Sequence, residues 1–397
     1  VLPIRHPAIS DGAVAVRSGR IAAVGRFNHV LSTFPDSRVV EYQDSVLLPA
    51  LVNAHTHLEL SHLAHLSRQP SPATFTGWIE NMLAERERIG SAGEVVRVAA
   101  LEALAAQQAD GVIAIGDISN TGLTRELAAQ FNGQLLCFKE YLGLRAAGVA
   151  PALELLEAEE DDDYCTAHAP YSTHADLLRA LKKRADRSGH VFPIHVAEPA
   201  AESEMMSRGR GEIPDFLERR GFWDGSFQAT GINNSGSVQY LHQLGILDNR
   251  TLCVHCIHLS SRELDLVKEA GCKVCICPGS NRYLGVGKAP VAEYLRMGIL
   301  PALGTDSLAS NPQISLWREM RLLAEDHPGV APADILAMAT AGGAAGLGLE
   351  VELGSLEAGK QARFLVVQLP EPVRCPTAVY EYLVTRGNLV QAQWILS

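Results

Sequence analysis

The chain has 397 residues, 47% hydrophobic and 20% charged, enough apolar material for one large core and a smaller unit. A formal net charge of −11 argues against a phosphate-backbone partner, because nucleic-acid binders present a basic face. No run approaches the roughly 18–20 uninterrupted apolar residues of a membrane span, and free cysteines in a large chain with no visible signal-peptide pattern suit a reducing cytoplasm.

The chain opens at Val1 without a methionine, which leaves room for residues ahead of it. Its first segment, GAVAVRSGRIAAVGRF, reads as short strands around turns, and near the other end GSLEAGKQARFLVVQL and RGNLVQAQWIL read likewise. Neither end is long enough to bury a core alone, so residues 1–48 and 352–397 are expected to pair into one small β-sandwich. Between them, eight strand-like runs stand at about 49–55, 111–119, 135–143, 164–172, 191–198, 251–259, 272–280 and 299–307. Amphipathic stretches with helical periodicity, such as 94–109 and 174–189, separate them. This alternation predicts an α/β fold, a (β/α)8 TIM-type barrel over 49–351, whose strand ends converge on one face.

Several strands end in reactive side chains. LVNAHTHLEL carries His55 and His57, which alternation along a strand points the same way, so both can reach one cation. Two imidazoles leave a divalent metal under-ligated, which predicts further ligands downstream. PIHVAE supplies His195 and Glu198, LCVHCIHL supplies His255 and His258, and LPALGTDSLASN supplies Asp306.

Taken together, NAHTHLELS, HAPYSTH, IHVAE, VHCIHL, PGSNRYLG and GTDSLASN resemble the metal-dependent amidohydrolase superfamily, in its aminohydrolase (chlorohydrolase/nucleoside deaminase) branch. The resemblance spans essentially the whole chain. It implies that His55, His57, His195 and Asp306 hold one divalent metal, zinc or iron(II), and that Glu198 and His255 are catalytic. That division makes chemical sense. Glu198 can deliver a proton to a ring nitrogen and then to the departing amine, Asp306 can accept a proton from water, and His255 can orient the attacking oxygen. A two-metal site bridged by a carbamylated lysine is disfavoured, because relatives that use it take the lysine from strand four, here YCTAHAPYS. Lys139 lies on strand three, where packing or an acid partner such as Glu140 is expected.

Other patterns are weaker. Cys253, Cys256, Cys272 and Cys275 match a zinc-module spacing, but residues i and i+3 on a strand face opposite ways, so buried free thiols are expected. His57 and Glu59 form an H-x-E without the P-C-x-x-C partner that deaminases of the cytidine type require. GVGK lacks the remainder of a P-loop. His62, His65, His174 and His258 are expected to be supporting or surface histidines.

For substrate contacts, His168 and Tyr171 of HAPYS, Trp78 and Glu87 of FTGWIENMLAERERI, and Arg282 of SNRYLG are the candidates. The loops look most like aminodeoxyfutalosine deaminases of menaquinone biosynthesis, which act on a 6-aminopurine nucleoside with a benzoate arm. Arg282, Arg208 or Arg210 is then the expected carboxylate partner. S-adenosylhomocysteine or methylthioadenosine deamination is the nearest rival, with guanine or pterin deamination, cyclic-amide hydrolysis and a non-catalytic scaffold further off. The expected partner is a small molecule, with no nucleic acid and no membrane; a homodimer is left open.

Overall fold

The computed structural model describes residues 1–160, 162–225, 236–369, 375–387 and 392–396, so positions 370–374, 388–391 and 397 of the expected C-terminal unit lie outside the described residues. No helix among the described residues is long and apolar enough to cross a membrane.

Near the N-terminus, β1 (Gly12–Arg17) and β2 (Arg20–Arg26) form an antiparallel hairpin, followed by β3 (Ser45–Pro49). The short helix Phe27–Thr33 after β2 was not expected; it buries only Val30, so the sequence shows no amphipathic stripe there.

Eight parallel strands follow. β4 (Leu51–Thr56), β5 (Val112–Ser119), β6 (Gln134–Tyr141) and β7 (Cys165–Ala167) form one sheet in that order. β8 (Phe192–Val196), β9 (Thr251–His255), β10 (Lys273–Ile276) and β11 (Ala302–Leu303) form the other. β4, β5, β8 and β9 are buried along their full length, which is why they read as near-continuous apolar runs. The sequence overextends the seventh strand to residue 280, whereas a helix starts at Pro278: proline fixes φ, lacks an N–H and suits a first helical position.

Backbone contacts join the sheets at both seams. A parallel bridge pairs Thr56 with Asp306, and His195 N–H donates to the His168 carbonyl at 3.0 Å. The first seam needs Gly304, because a Cβ there would stand 2.8 Å from both the Cβ and the carbonyl oxygen of His55.

At the C-terminus, β12 (Arg363–Gln368) pairs antiparallel with β3 on one side and with β13 (Ala392–Leu396) on the other. The two chain ends thus share a sheet. Ile21, Leu356, Ala362 and Phe364 form a small apolar cluster there, apart from the main core. The helix Pro376–Arg386 between these strands packs Val379, Leu383 and Val384 onto the main core.

Candidate active site

Each of the four expected metal ligands comes from the C-terminal end of a strand, and together they converge. His55 Nε2 lies 3.2 Å from His195 Nε2, and His57 Nε2 lies 3.3 Å from the same atom. Asp306 Oδ1 is 3.5 Å from His57 Nε2 and 3.9 Å from His55 Nε2. Bonds of about 2.0–2.1 Å from a tetrahedral zinc would set ligand atoms about 3.3–3.4 Å apart, so the spacing fits one small cation. The donor chemistry fits as well. His195 Nδ1 is 2.8 Å from the His168 carbonyl; the proton it donates there leaves Nε2 with its lone pair facing the cluster.

Burial disfavours the charged form of three of the rings here, His55, His168 and His195. It holds His55 well below the ordinary histidine value and brings His168 and His195 to about 3, with neighbouring imidazoles adding to the effect. For Asp306, burial acts upward, but the charges of His57 and His255 and the Ser280 hydroxyl outweigh it and hold the carboxyl low. Its Oδ2 accepts from Ser280 Oγ at 2.5 Å and Ser310 Oγ at 3.1 Å.

Glu198 and His255 stand beside this cluster, with Glu198 Oε1 3.5 Å from His255 Nε2. His255 Nδ1 is 3.1 Å from Asn281 Oδ1, an acceptor only, so its proton sits on Nδ1. Burial raises Glu198 well above the ordinary carboxylate range, and the negative charges of Asp306 and Glu202 push it the same way. A carboxyl group so shifted holds its proton more readily than an ordinary carboxylate, which suits a general acid. Glu202 fixes its backbone by accepting from the N–H groups of Ala197 at 2.9 Å and Glu198 at 3.1 Å. Ala197, His255 and Asp306 all adopt left-handed backbone conformations, with φ of 54°, 72° and 56°. Non-glycine residues reach that region at a cost, which concentrates strain where strands turn into the site.

A cavity of about 630 Å³ opens over these groups. Trp78, His168 and Tyr171, three of the candidates for substrate contacts, line it. Glu87 and Arg282 do not. Glu87 is exposed and meets Arg220 at 3.1 Å, while Arg282 pairs with Glu325 at 2.9 Å and Asp326 at 3.0 Å. Arg208 and Arg210 are also exposed, each 4.0 Å from Glu204.

Arg86, Arg145, Asn120 and Glu140 take places on the wall that sequence reasoning did not foresee. For Arg86 a signal existed. Trp78, Ile79, Met82, Leu83 and Arg86 recur at three- and four-residue intervals on the helix Phe75–Ile89, which puts Arg86 on the cavity face and turns Glu87 away.

The remaining patterns have structural explanations. Buried Glu59 accepts from Asn120 N–H at 2.9 Å and from the Ser119 and Thr121 hydroxyls, holding the loop after β5. Lys139 pairs with Glu159. The four cysteines of the zinc-like spacing are free and buried. His62 Nδ1 contacts the Glu59 carbonyl, His65 meets Glu85, His174 caps the helix Ala175–Ser188, and His258 Nε2 contacts the Val286 carbonyl.

Comparison with known proteins adds independent information. The amidohydrolase family profile matches residues 46–391. A 5-methylthioadenosine/S-adenosylhomocysteine deaminase of Moorella thermoacetica is 30% identical over 99% of this chain and 88% of its own length. The enzyme of the same name from Nitratidesulfovibrio vulgaris is 30% identical over 92% and 80%. Among solved structures, aminofutalosine deaminase of Helicobacter pylori in complex with methylthio-coformycin superposes with a TM-score of 0.80 at 24% identity, covering 96% of this chain and 93% of that one. An adenosine deaminase from Xanthomonas campestris with bound zinc gives 0.76 at 24% identity, over 96% and 86%. At those identities, the two superpositions bear on the fold.

Proposed function

The chain belongs to the amidohydrolase family, as a metal-dependent aminohydrolase, and on that premise we propose that it deaminates a 6-aminopurine nucleoside carrying a carboxylate on its 5′ side, namely aminodeoxyfutalosine. The observation that carries the reaction class is the placement of Glu198, His255 and Asp306 around one point on the wall of one cavity. The carboxylate reading rests on Arg145. This exposed residue lines the cavity and has no side-chain partner among the described residues, and Phe222 and Leu144 line the same cavity. That arrangement suits an aryl carboxylate. The second reading is S-adenosylhomocysteine or methylthioadenosine deamination, favoured by the names of the 30%-identical relatives.

His55, His57, His195 and Asp306 are assigned as the holders of one divalent cation, zinc or iron(II), which supplies Lewis acidity and makes water more acidic when bound. Asp306 Oδ1 takes a proton from the attacking water. Glu198 protonates the ring nitrogen next to the reacting carbon, then takes the proton of the added hydroxyl and passes it to the amine as the C–N bond breaks, after which the proton held by Asp306 restores Glu198. His255 Nε2 orients the incoming oxygen. Water adds, ammonia leaves and a ring carbonyl remains. Trp78 and the apolar wall hold the purine and exclude bulk water.

The two parallel sheets, joined at both seams, are read as the halves of one (β/α)8 barrel over residues 49–351. Residues 1–48 and 352–397 are read as a small β-sandwich beside it.

Ultraviolet-monitored deamination by zinc- or iron-loaded protein tests the function. Aminodeoxyfutalosine, adenosine, methylthioadenosine and S-adenosylhomocysteine are compared at equal concentration. Preference for the first supports the reading and a place in menaquinone synthesis. Preference for S-adenosylhomocysteine or methylthioadenosine establishes the second reading. No turnover of any of them by metal-replete protein overturns both.

A further inference from the structure

Glu319 is fully buried on the helix Leu316–Asp326 that follows β11, and it lies outside the cavity wall. Taking a carboxyl group out of water is costly unless donors surround it. The donors here are specific. Oε2 accepts from the Gly279 N–H at 2.6 Å, and Oε1 accepts from Asn311 Nδ2 at 2.9 Å. Arg318 Nη1 stands 3.6 Å from Oε1 and donates to Asn311 Oδ1 at 2.5 Å. A guanidinium can only donate, so this contact fixes which way the Asn311 amide points.

Each donor belongs to a segment that holds a reactive group. Gly279 is followed by Ser280, whose hydroxyl donates to Asp306 Oδ2 at 2.5 Å, and by Asn281, whose Oδ1 is 3.1 Å from His255 Nδ1. Asn311 also donates from Nδ2 to the Thr305 carbonyl at 2.7 Å, one residue ahead of Asp306. One buried carboxyl group therefore clamps the helix Pro278–Leu284, which touches both Asp306 and His255, to the loop that follows Asp306. Its own hydrogen bonds go to neither reactive residue.

Gly279 bears the mark of this clamp. A Cβ there would stand 2.5 Å from Glu319 Oε1, 2.6 Å from Asn311 Nδ2 and 2.7 Å from Arg318 Nη1. Gly279 is not one of the left-handed glycines, so its missing side chain serves the close approach of these three polar groups. An apolar residue at position 319 would fill the same space. It would also leave the Gly279 N–H, in the first turn of its helix, and one Asn311 amide hydrogen without acceptors.

We propose that Glu319 is a positioning residue for the hydrolytic step, setting the directions of the Asp306 carboxylate and the His255 ring through Gly279 and Asn311. This inference rests on the roles given to Asp306 and His255 above.

The test compares wild type with Glu319→Gln, Ser280→Ala and the double variant. The glutamine amide keeps the shape of the carboxyl group but accepts on only one of its two arms. Each protein is loaded with zinc for turnover of 5′-methylthioadenosine, expressed per metal bound, and with cobalt(II) for its visible absorption, which reports the geometry of the ligands around the metal. Glu319→Gln is expected to retain metal, leave KM near the wild-type value, lower kcat about 10- to 100-fold and shift the cobalt bands. The double variant should lose less than the product of the two single losses, because both changes act along one path. A cobalt spectrum and a kcat per metal that both match the wild type overturn the assignment. Activity that falls only in step with folded protein or bound metal overturns it too, as do single losses that simply multiply. Should the glutamine variant not fold, Glu319→Asp, which keeps the charge on a side chain one methylene shorter, is judged by the same measurements. If the wild type deaminates no 6-aminopurine nucleoside, the functional reading falls, and the cobalt spectra alone then decide whether Glu319 sets Asp306.

Discussion

The Thr56 hydroxyl donates to the Asp306 carbonyl at 2.8 Å, tying the first strand of one parallel sheet to the last strand of the other. Around it, the N–H groups of Thr305 and Asp306 donate to the His55 carbonyl at 2.9 and 3.1 Å, and Asn53 Nδ2 donates to Thr305 Oγ1 at 2.8 Å. All of these groups are buried. This polar seam fixes the position of Asp306 relative to His55 and His57, although the chain between them runs through the whole succession of strands.

Thr56→Val keeps the shape of the side chain and removes the hydroxyl. Zinc affinity should fall by roughly 10-fold, the lower end of what outer groups contribute at metal sites. Competition with a chelator measures it, and an unchanged affinity would show that the seam does not position Asp306.

Asp306→Asn and Glu198→Gln should separate two roles. The first should lose both turnover and tight metal binding. The second should retain metal and inhibitor but lower kcat by about 10² to 10⁴, the usual contribution of a general acid or base. Metal analysis of each variant beside its kinetics decides the matter, since metal loss in Glu198→Gln would make Glu198 a ligand.

Arg145→Ala should raise KM about 10- to 100-fold for a nucleoside with a carboxylate arm and leave methylthioadenosine, which has none, near the wild-type value. Equal effects on both substrates would remove Arg145 from carboxylate recognition.

His168 gives metal-free protein a pH-dependent stability of defined sign. Its pKa is about 3 in the fold against an ordinary value of 6.5, mainly because burial disfavours the charged ring. The unfolded chain therefore binds the extra proton between those values. The contribution is complete above about 6.5 and is lost as pH falls, at roughly 1.4 kcal/mol per pH unit. Buried carboxyls work the other way over part of this range, with Asp117 raised to about 8 and Glu319 to about 7. The informative quantity is therefore the urea-unfolding difference between wild type and His168→Gln. Relative to the variant, the wild type should lose stability as pH falls from about 6.5 to about 5.5; a difference that does not change with pH would mean His168 is not held neutral by burial.

Much of the site was legible in the chain because its signals are local. The two-residue period places His55 and His57 on one side, and apolar runs ending in His195, Glu198, His255 and Asp306 mark strand ends. Substrate contacts were less legible. Whether Arg86 or Glu87 meets the cavity depends on a rotation of one residue around a helix, and Arg282 is drawn off by Glu325 and Asp326 on a later helix. Adjacency in the chain offers Glu140 to Lys139, but the fold gives Lys139 to Glu159 and leaves one Glu140 oxygen unpaired. Strand periodicity and residue chemistry act over a few positions, so the strand–helix alternation and the reactive side chains at the strand ends could be read from the chain alone, while their division into metal holders and acid is what the family resemblance implies. Which charged side chains face the cavity depended on the assembled fold, because each can be neutralised by a distant partner that becomes a neighbour only when the chain is folded.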